Sequence, residues 1–330
     1  MKNISIIGDG AMGTVCSMLL CEKGFSVRMW GYDAQQLAQI KEKRENFRFL
    51  PGHKLPDSMN FEAEDSEIFK NTDLIISAVP CQYMRPIWKR LSEHVKHGTP
   101  IVSVTKGIEN ETLLRPSQII MDVLGVKAKV VALSGPTIAE EIARKLPATA
   151  TAASKDERLA GVVQEVFNTR YLRVYRNSDI VGVELAGAMK NVIAIAAGIV
   201  DGIQIGDNAK AALLCRGLAE ITRLGVALGA AEHTFSGLSG LGDLVTTCIS
   251  PSGRNRSLGQ RIGKGATVKD AIESTHSVVE GVATCKSVVD LAKKYSIDMP
   301  ITEAVYQILF EGKSVPAAIE ELMNRKLKAE

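Results

Sequence analysis

Charge imbalance is the first thing this 330-residue chain lacks: 40 Lys and Arg stand against 37 Asp and Glu, a formal net charge of +3. No basic block and no interleaving of basic and aromatic residues occurs, so no nucleic-acid partner is expected. Paired cysteines are missing too. The six, at positions 16, 21, 81, 215, 248 and 285, show neither Cys-x-x-Cys pairs nor metal-ligand spacing. They argue against a metal site and for reduced thiols in a cytoplasmic protein. The N-terminus enters a strand-like pattern directly, without the apolar segment and cleavage site of a signal peptide. Long apolar runs are absent as well. The longest, Leu185 to Val200, is interrupted by Lys190 and Asn191 and falls short of the ~20 apolar residues a bilayer span needs. No membrane insertion is expected. Internal repeats and low-complexity tracts are likewise lacking. What remains is 45% hydrophobic and 23% charged, ordinary for a globular chain, and long enough to divide into two domains.

The first half opens with a short apolar run, Asn3 to Ile7, that stops at Gly8-Asp-Gly-Ala-Met-Gly13. A helical pattern through Thr14, Val15, Met18 and Leu19 follows, then a second strand from Ser26 to Trp30. Strand, Gly-x-Gly-x-x-Gly and helix in that order form the dinucleotide-binding fingerprint. Gly8 permits the tight turn, Gly10 lets the backbone approach a pyrophosphate, and Gly13 lets helix and strand pack closely. The pyrophosphate then meets free amides at the helix N-terminus. Further on, 34–46 and 84–95 read as helices and 47–60 as a loop. Leu74 to Val79, Pro100 to Val104, Lys129 to Leu133, Thr149 to Ala153 and Tyr171 to Tyr175 read as strands. Such alternation predicts an α/β, Rossmann-like, doubly wound and largely parallel sheet. Its ligands bind beyond the carboxyl ends of the strands, where Val79-Pro80, Thr105-Lys106-Gly107 and Gly135-Pro-Thr137 all lie.

Strand signals nearly vanish after Asp179. The remainder reads as helices at 180–200, 208–228, 257–263, 281–295, 301–311 and 315–327, an all-α C-terminal domain. The expected domains are 1–178, dinucleotide-binding, and 179–330, substrate-binding and catalytic. Lys190 lies on the first helix beyond the boundary, apolar on nearly every side and so buried. Its neighbours at three and four residues are Ala186, Gly187, Ile193 and Ala194, three of them small enough for something bulky to approach. From this helix alone, a functional lysine and a core lysine snorkelling to water are equally compatible. Gly187 and Gly198 each cost ~1 kcal/mol against alanine in a helix, which implies close contact. Two glycine-rich connections follow. Ser236 to Asp243 presents a carboxylate after a flexible loop, and Gly253-Arg254-Asn255-Arg256 sets guanidinium and amide donors at a helix start.

A dinucleotide fold, a buried lysine and an Arg-Asn pair together describe hydride transfer on a small anionic alcohol. Along nearly its whole length the chain resembles the bacterial-type NAD(P)-dependent glycerol-3-phosphate dehydrogenases. The matching motifs are Gly8 to Thr14, Ser103-Val-Thr-Lys-Gly107, Leu133 to Thr137, Glu184 to Gly198, Gly240-Leu-Gly-Asp243, Arg254-Asn-Arg256 and Val279-Glu-Gly281. The resemblance implies interconversion of sn-glycerol 3-phosphate and dihydroxyacetone phosphate with NAD or NADP and no metal, feeding phospholipid synthesis. It makes Lys190 the proton acceptor and donor. As substrate contacts it implies Lys106, Gly135, Thr137, Lys190, Asn191, Asp243, Gly253, Arg254 and Asn255. Near the cofactor it puts Gly8, Gly10, Ala11, Met12, Gly13, Tyr32, Lys106, Ala139, Arg254, Val278 and Glu280. A homodimer is the default assembly. A dehydrogenase of a small hydroxy acid and a dinucleotide sensor without turnover are the alternative readings.

Burial and a second ammonium at Lys106 would lower the pKa of Lys190, while a carboxylate at Asp243 or Glu184 would oppose them. Asp243 is expected to orient the lysine. Two departures from the family pattern stand out: Ala11-Met12 replaces a Ser-aromatic pair, and Gly253 replaces a serine before the Arg-Asn pair. Cofactor choice is set after the second strand, roughly twenty residues beyond the glycine turn. There the chain reads Arg28-Met-Trp30-Gly31-Tyr32-Asp33. Gly31 leaves a space a phosphate would fit, Asp33 is placed to cap the following helix, and Arg28 lies on the Trp30 face. Both cofactors are therefore expected to support catalysis, with a preference below about a hundredfold, or ~2.7 kcal/mol.

Overall fold

The alternating pattern of the first half builds one eight-stranded sheet with helices on both faces. Its strands are β1 (Asn3–Ile7), β2 (Ser26–Trp30), β5 (Asn60–Phe61), β6 (Leu74–Ser77), β7 (Ile101–Ser103), β8 (Val130–Ser134), β9 (Ala148–Ala153) and β10 (Leu172–Asn177). A separate hairpin pairs β3 (Glu45–Asn46) with β4 (Leu50–Lys54). In space the order is β10-β9-β8-β7-β6-β1-β2-β5. All pairings are parallel except β8 with β9, so the last two strands run against the others. The computed structural model describes residues 1–275, 278–327 and 329. Two compact units emerge, one of residues 1–106 and 114–184 and the other of 107–113 and 185–330.

Side-chain alternation explains why the sheet is covered on both sides. Ile4 and Ile6 of β1 enter one core cluster with Val15 and Leu19, while Ile7 enters the other with Trp30, Ile75 and Trp88. The covering helices are α1 (Ala11–Glu22), α2 (Ala34–Lys43), α3 (Asp65–Ile68), α4 (Cys81–Leu91), α5 (Pro116–Leu124), α6 (Ala139–Ala143) and α7 (Glu157–Phe167). Several details differ from the sequence reading, among them the helix expected at 84–95, which is α4 at Cys81–Leu91. The 47–60 segment contains the hairpin strand β4 and the start of the edge strand β5 instead of a plain loop. The helix at 34–46 ends at Lys43, where Arg44 turns left-handed at φ 51°. The helices α3, α5 and α6 have no counterpart in the sequence reading.

The second unit is helical: α8 (Ile180–Ile203, its first turn in the first unit), α9 (Asp207–Ala227), α10 (Glu232–Phe235), α11 (Asp243–Ile249), α12 (Arg254–Gly263), α13 (Val268–Glu273), α14 (Glu280–Tyr295), α15 (Pro300–Phe310) and α16 (Val315–Met323). α8 runs longer than its apolar stretch suggested. By length and composition it could cross a membrane, yet 89% of its most apolar window is buried inside the protein. α12 packs on it at backbone contact. A Cβ on Gly198 would lie 1.9 Å from the Arg256 carbonyl oxygen, and one on Gly259 would lie 1.9 Å from that of Ile195. Gly202 and Gly263 repeat the arrangement one turn on. Asp201 then ties three helices, accepting from Lys210 on α9 at 2.8 Å and from Arg256 on α12 at 2.6 Å.

Candidate active site

In the first unit the predicted residues gather at the carboxyl ends of β1, β6, β7 and β8. Gly8 has φ +112° and donates its amide to the Trp30 carbonyl at 2.9 Å. A Cβ there would meet the Ala78 carbonyl oxygen at 2.8 Å, and one on Gly13 would meet the Gly8 oxygen at 2.1 Å. Gly10, by contrast, has nothing within 4 Å of an added Cβ. It caps α1, no side chain caps the helix, and Ala11 and Met12 form its first turn. A tight turn, close helix packing and an open approach at Gly10 form a cradle that fits a pyrophosphate. Thr105 Oγ1 donates to the Val79 carbonyl at 2.7 Å, Lys106 Nζ to that of Gly135 at 3.0 Å, and Thr137 Oγ1 to the same oxygen at 3.1 Å. Met12 and Thr137 line one small apolar cavity with Val15, Val104 and Leu133. Ala139 opens α6 just beyond. Tyr32, 71% exposed, lies under the Arg90 guanidinium.

In the second unit the polar residues form one connected set. Lys190, only 5% exposed, donates to Asp243 Oδ1 at 2.6 Å and to Thr247 Oγ1 at 2.5 Å. Asp243 begins α11 and Thr247 follows one turn later, so both face the same ammonium. The segment before them is not a flexible loop. Residues Leu238–Gly242 form a π-helical turn in which a Cβ on Gly240 would strike the Phe235 carbonyl at 2.0 Å. Asn191, next to Lys190, accepts from Asn255 Nδ2 at 3.0 Å, and Asn255 Oδ1 accepts from the Gly281 amide at 2.9 Å. Gly253 caps α12, which places Arg254 and Asn255 in its first turn. Arg254 Nη1 donates to the Val278 carbonyl at 3.0 Å, and Glu280 opens α14. Burial pushes the Cys248 thiol up to about 12 against the pull of Lys190 and Lys210, so it stays neutral beside the lysine.

Of the two carboxylates considered for Lys190, Asp243 is its partner. Glu184 is engaged elsewhere, accepting from Arg115 and from Ser117 through its amide at 2.7 Å and its hydroxyl at 2.6 Å. Thr247 was not foreseen from sequence, although its spacing of four from Asp243 on an apolar helix is a readable signal. Among the described residues no three His, Cys, Asp or Glu side chains cluster as metal ligands.

Two family models divide the chain between them: the NAD-dependent glycerol-3-phosphate dehydrogenase N-terminus matches residues 3–160 and its C-terminus matches 179–320. The chain belongs to the NAD-dependent glycerol-3-phosphate dehydrogenase family. It is 46% identical to the glycerol-3-phosphate dehydrogenase [NAD(P)+] of Citrifermentans bemidjiense over 331 aligned positions, covering 100% of this chain and 99% of the relative. The enzyme of the same name from Bacillus pumilus is also 46% identical, with 98% of this chain and 95% of the relative covered. The crystal structure of glycerol-3-phosphate dehydrogenase from Coxiella burnetii superposes with a TM-score of 0.95 at 34% identity, covering 98% of this chain and 99% of the other.

Proposed function

We propose that this protein interconverts sn-glycerol 3-phosphate and dihydroxyacetone phosphate with NAD or NADP, and so supplies glycerol 3-phosphate for phospholipid synthesis. The observation that carries this reading is the buried Lys190, held by Asp243 and Thr247 beside the linked Asn191–Asn255 pair, in a member of this family. On this reading the first unit serves as the dinucleotide-binding domain and the second as the substrate domain. When bound, the nicotinamide supplies the hydride acceptor for the alcohol and the hydride donor for the ketone.

Lys190 takes the hydroxyl proton as the alcohol is oxidised and returns it as the ketone is reduced. Asp243 and Thr247 fix the direction of its Nζ and limit the rotamers it visits. Arg254 and Asn255, in the first turn of a helix, supply charge-assisted and amide donors for the phosphate, with the Gly253 amide beside them. Lys106, Gly135 and Thr137 complete the substrate contacts, while Asn191 anchors Asn255. Gly8, Gly10, Ala11, Met12 and Gly13 cradle the dinucleotide, with Tyr32, Lys106, Ala139, Arg254, Val278 and Glu280 as further contacts. The same reading has the protein act in the cytoplasm as a homodimer, without membrane insertion. Loss of near-ultraviolet NADH or NADPH absorbance on adding dihydroxyacetone phosphate tests the activity directly. Turnover of a small 2-oxo acid, with none of dihydroxyacetone phosphate, would overturn it.

A further inference from the structure

The glycine turn carries a carboxylate for which the roles above have no use. Asp9 lies between Gly8 and Gly10, and its side chain does not project idly into solvent. A Cβ on Gly31 would lie 2.9 Å from Asp9 Cγ and 3.0 Å from Asp9 Oδ2. The space over Gly31, expected from sequence to be open to a phosphate, is therefore taken by a carboxylate. In this class of sheet the residue just past the second strand meets the ribose of the adenosine half, and an acid there hydrogen-bonds the 2′-hydroxyl. β2 ends at Trp30, and Gly31 has no side chain to offer. Asp9 fills the position from the neighbouring turn.

The carboxylate is held from behind. Gln36 Nε2 donates to Asp9 Oδ2 at 2.7 Å, and Gln36 Oε1 accepts from Arg48 Nη1 at 2.8 Å. With its amide oxygen committed to a guanidinium, Gln36 can present only its NH2 group to Asp9. The backbone of Gln36 is fixed as well, because Asp33 caps α2 and accepts from the Gln35 and Gln36 amides at 2.9 and 3.1 Å. Asn46 of the hairpin donates to the Asp9 carbonyl at 2.7 Å and to Thr14 Oγ1 at 2.7 Å, which locks the turn itself. A carboxylate offers about four acceptor positions, so one bond from Gln36 leaves capacity for ribose hydroxyls.

We infer that Asp9 is the residue that reads the adenosine ribose, accepting hydrogen bonds from its hydroxyls and repelling a 2′-phosphate, so that NADH binds more tightly than NADPH. This rests on reading the Gly8–Gly13 turn as the dinucleotide site. Like charges brought together at a binding site disfavour the wrong partner, and Asp33 adds a second negative charge to the same corner. Arg48 is the countervailing cation; its Nη1 donates to Gln36 and its guanidinium lies over the Phe49 ring at 5.0 Å, which ties it to Gln36 through that one donor. The resulting preference for NADH is expected at about tenfold or more, inside the hundredfold bound set by the sequence.

Fluorescence titration of the intact protein with NADH and NADPH, without substrate, gives both dissociation constants independently of turnover. The wild type should bind NADH more tightly by that factor. Asp9→Asn keeps the shape and removes the charge, so it should tighten NADPH binding about tenfold and weaken NADH binding a few-fold, with an unchanged melting curve. Equal affinities in the wild type, or an unaltered ratio in Asp9→Asn, would overturn the assignment, and so would Arg48→Ala weakening NADPH binding alone. The wild-type ratio decides even if the variant fails to fold. Binding of neither nucleotide would instead overturn the dinucleotide reading of the turn, and the role of Asp9 with it.

Discussion

At the scale of single residues, the polar side chains of the second unit converge on one ammonium. Lys190 is a long, flexible side chain made rigid by two short contacts, to Asp243 and Thr247, inside a wall of small residues. Lys190→Met is expected to lower the turnover number by ~10²–10⁴-fold, the usual contribution of a positioned proton-transfer group. NADH affinity should change little, since the glycine turn lies in the other unit. Steady-state rates at saturating substrate, with a separate NADH titration, check both halves, and retention of most activity would make the lysine structural. Single residues were also where the sequence was most and least readable. Gly8, Gly10 and Gly13 announced themselves because their local context, strand before and helix after, carries the meaning, whereas the role expected of Lys190 came from the family resemblance. Asp9 and the capture of Glu184 by Arg115 did not, because each depends on a partner 27 or more residues away.

Among the elements, α8 and α12 meet through paired glycines instead of interlocking side chains. Gly259→Ala would drive a methyl group against the Ile195 carbonyl and the Ile199 amide, both rigid backbone. Overpacking costs ~1–3 kcal/mol, and against backbone it should fall at the top of that range, offset by ~1 kcal/mol of helix propensity. A net loss of about 2 kcal/mol is expected from urea unfolding, and an unchanged midpoint would mean that the helices do not touch there. The sequence flagged Gly198 by its helix cost alone, whereas the hairpin at 45–54 went unread. Its strands are short, Pro51 sits inside one, and it is anchored by Asn46 reaching the glycine turn and by Arg48 reaching Gln36 on α2. That is information no local window contains.

A second element-level device is the buried Glu220 of α9, which accepts from the Ile301 and Thr302 amides at 2.7 and 3.1 Å and so caps α15. Burial outweighs these bonds and raises its pKa from 4.5 to about 7. A carboxyl whose folded pKa exceeds its unfolded one binds its proton more tightly when folded. Its stabilising effect is full below pH ~4.5 and declines to nothing above pH ~7, a loss on the order of 3 kcal/mol. Glu220→Gln, which cannot titrate, should therefore gain stability relative to the wild type as pH rises from about 5 to about 8. Parallel pH profiles for the two proteins would sink this account.

For the whole molecule, the two units are not consecutive in the chain. Residues 107–113 leave the sheet, join the helical unit and return, and there Ser287 Oγ donates to the Ile108 carbonyl at 3.0 Å and contacts Asn110 Oδ1 at 2.7 Å. A separately expressed 185–330 fragment would lack that segment and leave the buried Ser287 without these bonds. Buried unsatisfied groups cost ~1–3 kcal/mol each. The fragment is expected to melt at lower temperature than the helical unit does in the intact protein, and adding a synthetic peptide of residues 107–113 should recover part of the difference by circular dichroism. Equal melting with and without the peptide would make the segment dispensable. The sequence could not have revealed this excursion, since nothing in Gly107 to Leu113 marks which core it joins.

The excursion also sets a clock on synthesis. The Asn110 and Ser287 side chains are separated by 177 positions, so at ~5–20 residues per second the earlier one is made roughly 10–35 s before its partner. Throughout that interval the nascent sheet must hold a seven-residue loop open to water, and Ile108, fully buried in the finished protein, is exposed to any chaperone or protease nearby. The order in which this chain is made thus leaves its first unit waiting on its second.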